Sequence, residues 1–464
     1  MKPTNQWLLG TLALLPWLLP VQGWASDYQW NASAYADWTA ADTSEWLVGT
    51  SEPPSTPGSG DNIVTPAQFG SMGVRESYTI DDFTFDSSSP WNVYGSKGAH
   101  TLTINGTLTK EGSGLLTFRG AAGAATLSLL VNAIDVESGA LALGNTTVGL
   151  EDITVSGKTQ VGSGGNINLL AHTASFAGGI EMNGGGFNIY TGTGTNPGTV
   201  SAASLSGNSG NVQVFNVNNA AHALLALDGN SGSAAYGGTL SDGGDNVLSL
   251  SKTGSAIQKF SGANTYSGGT AVSGGTLLVN NTAGSGTGTG DVTVQGDAVL
   301  GGTGIIAPAS GRNITVDGTL SPGDENAAPL TFDLTGESRL SFGSGSRLAL
   351  TLGDLSDRVV FSSAGNWLSG SGNLTLQLTL GSGFDYSQSY VVFENVTTAD
   401  FTLGGVSGYD LSHYLYSFDR IGDDYVLSFR AIPEPSEMGM LGAGVLSAGM
   451  LAASAFLRTR NRRR

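Results

Sequence analysis

From Lys259 to Gly323 the chain is built of short segments that alternate apolar and polar residues, separated by glycine-rich turns. Glycines Gly275, Gly296 and Gly318 stand 21 and 22 residues apart, and each is followed two positions on by a small or apolar residue, Leu277, Ala298 and Leu320. Within Gly274–Val279 and Asp291–Gln295 successive side chains point to opposite faces, one set inward and the other to water. Thr and Val suit a pleated surface, while Gly, Asn, Ser and Asp in the turns tolerate positive φ or bond their own backbone. One such unit cannot bury its apolar face alone. Stacking units about 4.8 Å apart gives each strand two partners and the chain a continuous core. A flexible Gly/Ser linker would not keep this alternation, although glycine supplies 71 of 464 residues. The spacing predicts an all-β chain whose residues 96–372 coil into a parallel β-helix, with no α-helix longer than two turns.

Only 12% of residues are charged and none is cysteine. The missing thiols exclude a disulfide framework, a thiol nucleophile and thiolate metal ligation. Net charge is −18. Without the two termini, 13 Lys and Arg face 35 Asp and Glu, a net of −22. Such a surface repels nucleic acid, which is not expected as a partner.

Along the chain, residues 1–25 read as a signal peptide. Lys2 precedes an apolar run, Trp7 to Leu19, that is too short to span a bilayer. Small residues at Gly23 and Ala25 place cleavage between Ala25 and Ser26, by signal peptidase after passage through the export machinery. Residues 26–95 hold Trp30, Trp38, Trp46 and Trp91, half the tryptophans of the chain. A solenoid needs its first coil covered, because bare strand edges template aggregation. The segment is therefore expected to be an N-terminal cap with buried aromatics; a carbohydrate-binding face of exposed rings is the alternative. Residues 373–431 are again aromatic-rich and include YVVFENV and YVLSFR, expected as antiparallel strands of a C-terminal cap.

Residues 432–464 differ in kind. Pro433, Glu434 and Pro435 precede twenty uncharged residues, Met438 to Leu457, and then Arg458, Arg460, Arg462, Arg463 and Arg464. Twenty residues at about 1.5 Å each give about 30 Å, the hydrocarbon thickness of a bilayer. One transmembrane helix is expected here, its arginines cytoplasmic and residues 26–432 outside.

Two resemblances follow from these residues. SGANTYSGGTAVSGGTLLVNN, then GSGTGTGDVTVQGDAVLGGTG and GTLSPGD, resemble the autotransporter-associated β-strand repeat over about 249–324. That resemblance implies a right-handed parallel β-helix at the cell surface and no activity. Pro433-Glu434-Pro435, the apolar span and the arginine cluster, in that order, resemble the PEP-CTERM sorting signal. It implies recognition by an exosortase, a membrane transpeptidase that removes the span, so that inner-membrane anchoring is transient and the protein ends at the cell surface or outside it. The signal usually accompanies extracellular polysaccharide, which is therefore a further candidate partner.

No nucleophile elbow, dinucleotide fingerprint, P-loop or zinc-protease motif is present. His100, His172, His222 and His413 lack ligand spacing, and no cofactor, metal site or catalytic residue is expected. The acidic turns Ser241–Asn246 and Ser321–Asn326 are the nearest thing to calcium loops, but neither has the glycine–aspartate repeat of such sites. Two functions compete. One is a structural or adhesive surface or matrix protein, relevant to biofilm; the other is a polysaccharide lyase or hydrolase on a β-helix, which needs paired carboxylates and a base on one face.

Overall fold

The computed structural model describes residues 27–433 except 31–34, 39–45, 49–54, 66–69, 121–125, 145–149, 151, 171–172, 191–197, 216–221 and 326. The secondary structure there is β throughout, and no helix among the described residues is long and apolar enough to cross a membrane. The expected span at 438–457, and with it the transmembrane helix, lies outside the described residues. The chain divides into two units, Met1–Gly192 and Thr193–Arg464.

In the first unit parallel strands return to the same place once per coil. Trp91, Leu116, Leu141, Ile167 and Phe187 pair in series, at steps of 25, 25, 26 and 20 residues. All are at most 1% exposed. A second column runs Ile80, Ile104, Val131, Val155, Phe176, and a third begins Ile63, Phe83, Leu108, Ile134. Inward residues are apolar because the pleat turns every second side chain to the interior, where each meets its counterpart one coil away. Rings fill the wider levels, as where Phe83 meets Phe118 edge to face at 5.7 Å.

The expected N-terminal cap contains this same parallel pairing. Asp27–Trp30 pairs antiparallel with Trp46–Val48 but parallel with Asn62–Val64, and Gly70–Val74 is parallel to Trp91–Gly95. Coil-type pairing is thus present before residue 96. Three-residue strands such as Asn62–Val64 and Phe83–Phe85 carry too little alternation to mark a coil in the sequence. Trp91 is 1% exposed and lies inside a coil; the side chains of Trp30, Trp38 and Trp46 lie outside the described residues.

The second unit stacks three faces. One column is Val200, Leu225, Leu250, Thr270, Val292, Ile314, Leu340, Leu368. Another is Gln258, Leu277, Leu300, Leu320, Leu348, Leu376. The third is Ile306, Phe332, Phe361. Parallel pairing continues through Leu368–Leu380, beyond residue 372. The third face ends in antiparallel strands: Ser389–Val396 pairs with Asp424–Ala431, which pairs with Tyr414–Ile421. These are the two strands singled out in the sequence, joined by one more.

Register corrects the turn count. Thr276 pairs with Val299, and Val299 with Thr319. Gly275 and Gly318 therefore both lie level with Ala298, and Gly296 sits two residues upstream of that level. Leu277, Leu300 and Leu320 are the true equivalents, 23 and 20 residues apart. The corner between strands holds three residues after Val272, four after Val294 and two after Val316. Glycines mark corners, and corners vary in length; the inward leucines keep the register.

Candidate functional site

Residues 246–287 concentrate the polar side chains of the interior: Lys252, Gln258, Asn264, Thr270, Asn281 and Thr287 are each at most 3% exposed. All but Thr287, which meets the Ser285 hydroxyl, bond backbone of another coil or a corner. Gln258 reaches Leu205, accepting from its N–H at 3.1 Å and donating to its carbonyl at 2.7 Å. Asn264 accepts from the Leu240 N–H at 2.8 Å and donates to the Gly286 carbonyl at 2.7 Å, so one amide ties three levels. The Tyr266 hydroxyl lies 2.6 Å from Thr270 Oγ1, which donates to the Thr287 carbonyl at 2.9 Å. Burial pushes the Tyr266 and Tyr236 phenols up, so both stay neutral donors. Lys252 Nζ donates to the carbonyls of Gly254 and, at 3.3 Å, Gly274. Satisfied in this way, buried polar groups add direction without the cost of an orphaned donor.

Sequence reasoning passed over these residues because an inward lysine or glutamine breaks the apolar-in rule. The available signal was phase: Lys252 and Gln258 occupy inward positions of otherwise regular strands.

Other clusters resolve into local bonding. Asp410, Ser412 and His413 meet at the surface, with Asp410 Oδ2 2.7 Å and Ser412 Oγ 2.9 Å from the same ring atom, His413 Nδ1. A serine nucleophile and its orienting acid use opposite nitrogens of the imidazole; here both crowd one. Hydrogen bonds from Ser412 and then His413 hold the Asp410 carboxyl down at about 2. Of the two acidic turns, Asp324 is held by Lys259 Nζ at 2.9 and 3.0 Å and by Asn280 Nδ2 at 2.9 Å. Asp242 accepts from the N–H groups of Leu248 and Ser267. Among the described residues no group of three or more His, Asp or Glu is arranged to hold a metal ion.

Of the residues expected to direct export and sorting, Pro433 is exposed just after the last strand, Asp424–Ala431. Ala25, Ser26, Glu434, Pro435 and the five arginines lie outside the described residues.

The polar-lined coil coincides with a known family. Residues 250–279 match the model of the passenger-associated transport repeat. The match spans thirty residues of the second unit and falls inside the stretch that resembles the autotransporter-associated repeat. Among curated proteins nothing matches the chain. The repeat and the parallel β-solenoid together fit a secreted or surface protein of passenger type.

In the first unit a lysine holds the same kind of position. Lys110 is fully buried, lies 5.0 Å from the Phe85 ring centre, and donates to the carbonyls of Gly112 and, at 2.9 Å, Ser138. Burial lowers its amine from 10.5 to about 8, against the upward pull of Asp86. The unfolded chain therefore binds more protons than the folded one between about pH 8 and 10.5, and stability from this group rises with pH across that window. Comparing wild type with Lys110→Met by chemical unfolding at pH 7.5 and 9.5, the wild-type advantage should grow with pH. Unfolded tyrosines also titrate toward the top of this range, while buried Tyr78 is pushed up to about 12, but wild type and variant share them and they cancel in the difference. A constant or shrinking difference would mean the amine is not desolvated.

Proposed function

We propose that this chain is an exported, non-catalytic β-helix protein with a structural or adhesive role at the cell surface or in the extracellular matrix. The observation that carries the reading is the transport-repeat coil at 250–279, whose buried polar side chains are spent on joining coils to one another. Interior bonding of this kind supports a stiff scaffold. The winding we assign is right-handed, the hand favoured by parallel β connections.

In this reading signal peptidase cuts between Ala25 and Ser26. An exosortase-type transpeptidase then grips Pro433-Glu434-Pro435, with the span and Arg458, Arg460, Arg462, Arg463 and Arg464 setting its depth in the inner membrane. Residues before a proline are held extended, and Pro433 lies exposed with only Ile432 between it and the end of the last strand, which is what supports its access to a cleft. Small residues Gly439, Gly442, Gly444 and Gly449 suit close contact with a membrane enzyme. The acidic surface, net −22 between the termini, supports a partner other than nucleic acid; extracellular polysaccharide is the candidate.

Surface-exposed protein analysed by mass spectrometry should start at Ser26 and lack every peptide beyond about Pro435. Replacing Pro433, Glu434 and Pro435 together by Ala should leave full-length protein in the inner membrane, as should loss of the sorting enzyme. Intact C-terminal peptides in released wild-type protein would overturn the sorting part of the reading.

A further inference from the structure

Lys110 and Lys252 are the two buried lysines among the described residues, one in each unit, and the backbone around them corresponds position for position. Beneath them, Lys110 pairs with Phe85 and Lys252 with Leu227. The residue after each of those is an acid, Asp86 or Asp228, and each pulls its lysine's amine upward against burial. Above them, Lys110 pairs with Val136 and Lys252 with Val272. The corner below is closed by the same backbone bonds. Glu111 N–H donates to the Phe85 carbonyl and Gly114 N–H to the Ser87 carbonyl; Thr253 N–H donates to Leu227 and Ala256 N–H to Gly229. Both amines then bond the carbonyl two residues on, Gly112 or Gly254, and one in the coil above, Ser138 or Gly274.

A glycine completes each corner. Gly139 has φ +68 and Gly275 φ +61, a region that side chains rarely enter. A Cβ on Gly139 would stand 2.6 Å from Lys110 Nζ, and one on Gly275 2.8 Å from Lys252 Nζ. The next strands also correspond: Leu115 pairs with Ala140 and Phe118 with Leu143, as Ile257 pairs with Thr276 and Phe260 with Val279. Positions 110, 112, 114 and 118 map onto 252, 254, 256 and 260 at one offset, 142. Positions 136, 139, 141 and 143 map onto 272, 275, 277 and 279 at another, 136. The first copy is six residues longer between the two blocks.

We infer that residues 108–143 are a second copy of the transport repeat matched at 250–279, and that a buried lysine latched over a left-handed glycine is the element the two copies share. Each unit then contains one such coil. The two have diverged in length and at inward as well as outward positions, Leu116 mapping onto Gln258 and Ile134 onto Thr270, while the residues at the corner are kept: Lys, Gly two residues later, the aromatic Phe118 or Phe260, and the corner glycine one coil on. The inference concerns how the coils are built and stands apart from whether the C-terminus is sorted.

Amine labelling of the native full chain is the first test. With an amine-reactive ester read by mass spectrometry, exposed lysines such as Lys158 should label at once, while Lys110 and Lys252 should both stay at least tenfold less labelled until denaturant opens the chain. Rapid labelling of either would overturn the shared latch. The second test is exchange of corners. Substituting Glu111→Thr, together with Glu137→Ser, Ser138→Gly and Ala140→Thr, writes the second copy's corner residues into the first; Gly114 is kept, because a Cβ there would overlap the Ser89 carbonyl oxygen. That variant should keep its unfolding midpoint and its protection of Lys110, whereas Gly139→Ala and Gly275→Ala should each open the labelling of their own lysine. If the exchanged corner exposes Lys110 as Gly139→Ala does, the two coils are not copies of one design.

Discussion

Leu300→Asp should abolish the folded state of the second unit. Leu300 is fully buried between Leu277 and Leu320, which are fully buried in turn, and all three lie in one register column. A carboxylate there has apolar side chains above and below and no partner. An unpaired ion in such a place costs several kcal/mol even after relaxation, and the methylenes it replaces are lost as well. Whole domains are stable by only about 5–15 kcal/mol, and in a stacked array each coil is supported only by its neighbours. Far-UV circular dichroism should show loss of β signal, and limited proteolysis should cut within 193–433. Leu300→Ala should fold, about 2–5 kcal/mol less stable. Gln295→Asp, at the exposed corner that leads into the same strand, should fall within about 0.5 kcal/mol of wild type. A folded, protease-resistant Leu300→Asp protein would contradict the register column.

How much of this was legible in the sequence depends on which signal each feature left. The alternation around Leu277 and Val292 announced parallel coils, because inward and outward residues differ in kind. Glycines were a weaker ruler. Gly275 and Gly296 both have positive φ, +61 and +59, and so both look like turn markers, yet only Gly275 lies level with Ala298 and Gly318. Corners tolerate an extra residue at the surface; strands tolerate none, since a slip of one would turn every apolar side chain to water. The C-terminal hairpin was visible because Tyr390 and Phe393 recur against Tyr425 and Leu427 at strand spacing. Lys110 and Lys252 were legible only in phase, as inward positions of alternating strands; nothing local shows what an inward lysine bonds. Only the fold brings the carbonyls of Ser138 and Gly274 to the two amines from one coil away. Glu434 and Pro435, proposed above as part of a sorting signal, stand out as sequence words alone and lie outside the described residues.

Deleting residues 409–431 should turn the second unit from a soluble particle into one that self-associates. Those residues supply the antiparallel strands that close the third face, where Tyr390 pairs with Leu427 and Val391 with Val426. Without them the strand Ser389–Val396 presents a row of free N–H and C=O groups. Val392 and Phe393, both fully buried in the intact protein, and Tyr390 at 5% exposure lose their cover. Phe401 also loses its contacts with Phe418 and Tyr425, at 6.3 and 6.2 Å between ring centres. An apolar edge strand of eight residues is a template for pairing with another chain, and a solenoid repeats that template along the same axis. The deleted protein should elute from size exclusion as species that grow with concentration, while the intact chain does not change. Val391→Lys, placed on the exposed edge where charge opposes pairing, should restore a single small species in the deleted background. A monomeric deletion variant at every concentration would show that the hairpin is an appendage and that another element protects this edge.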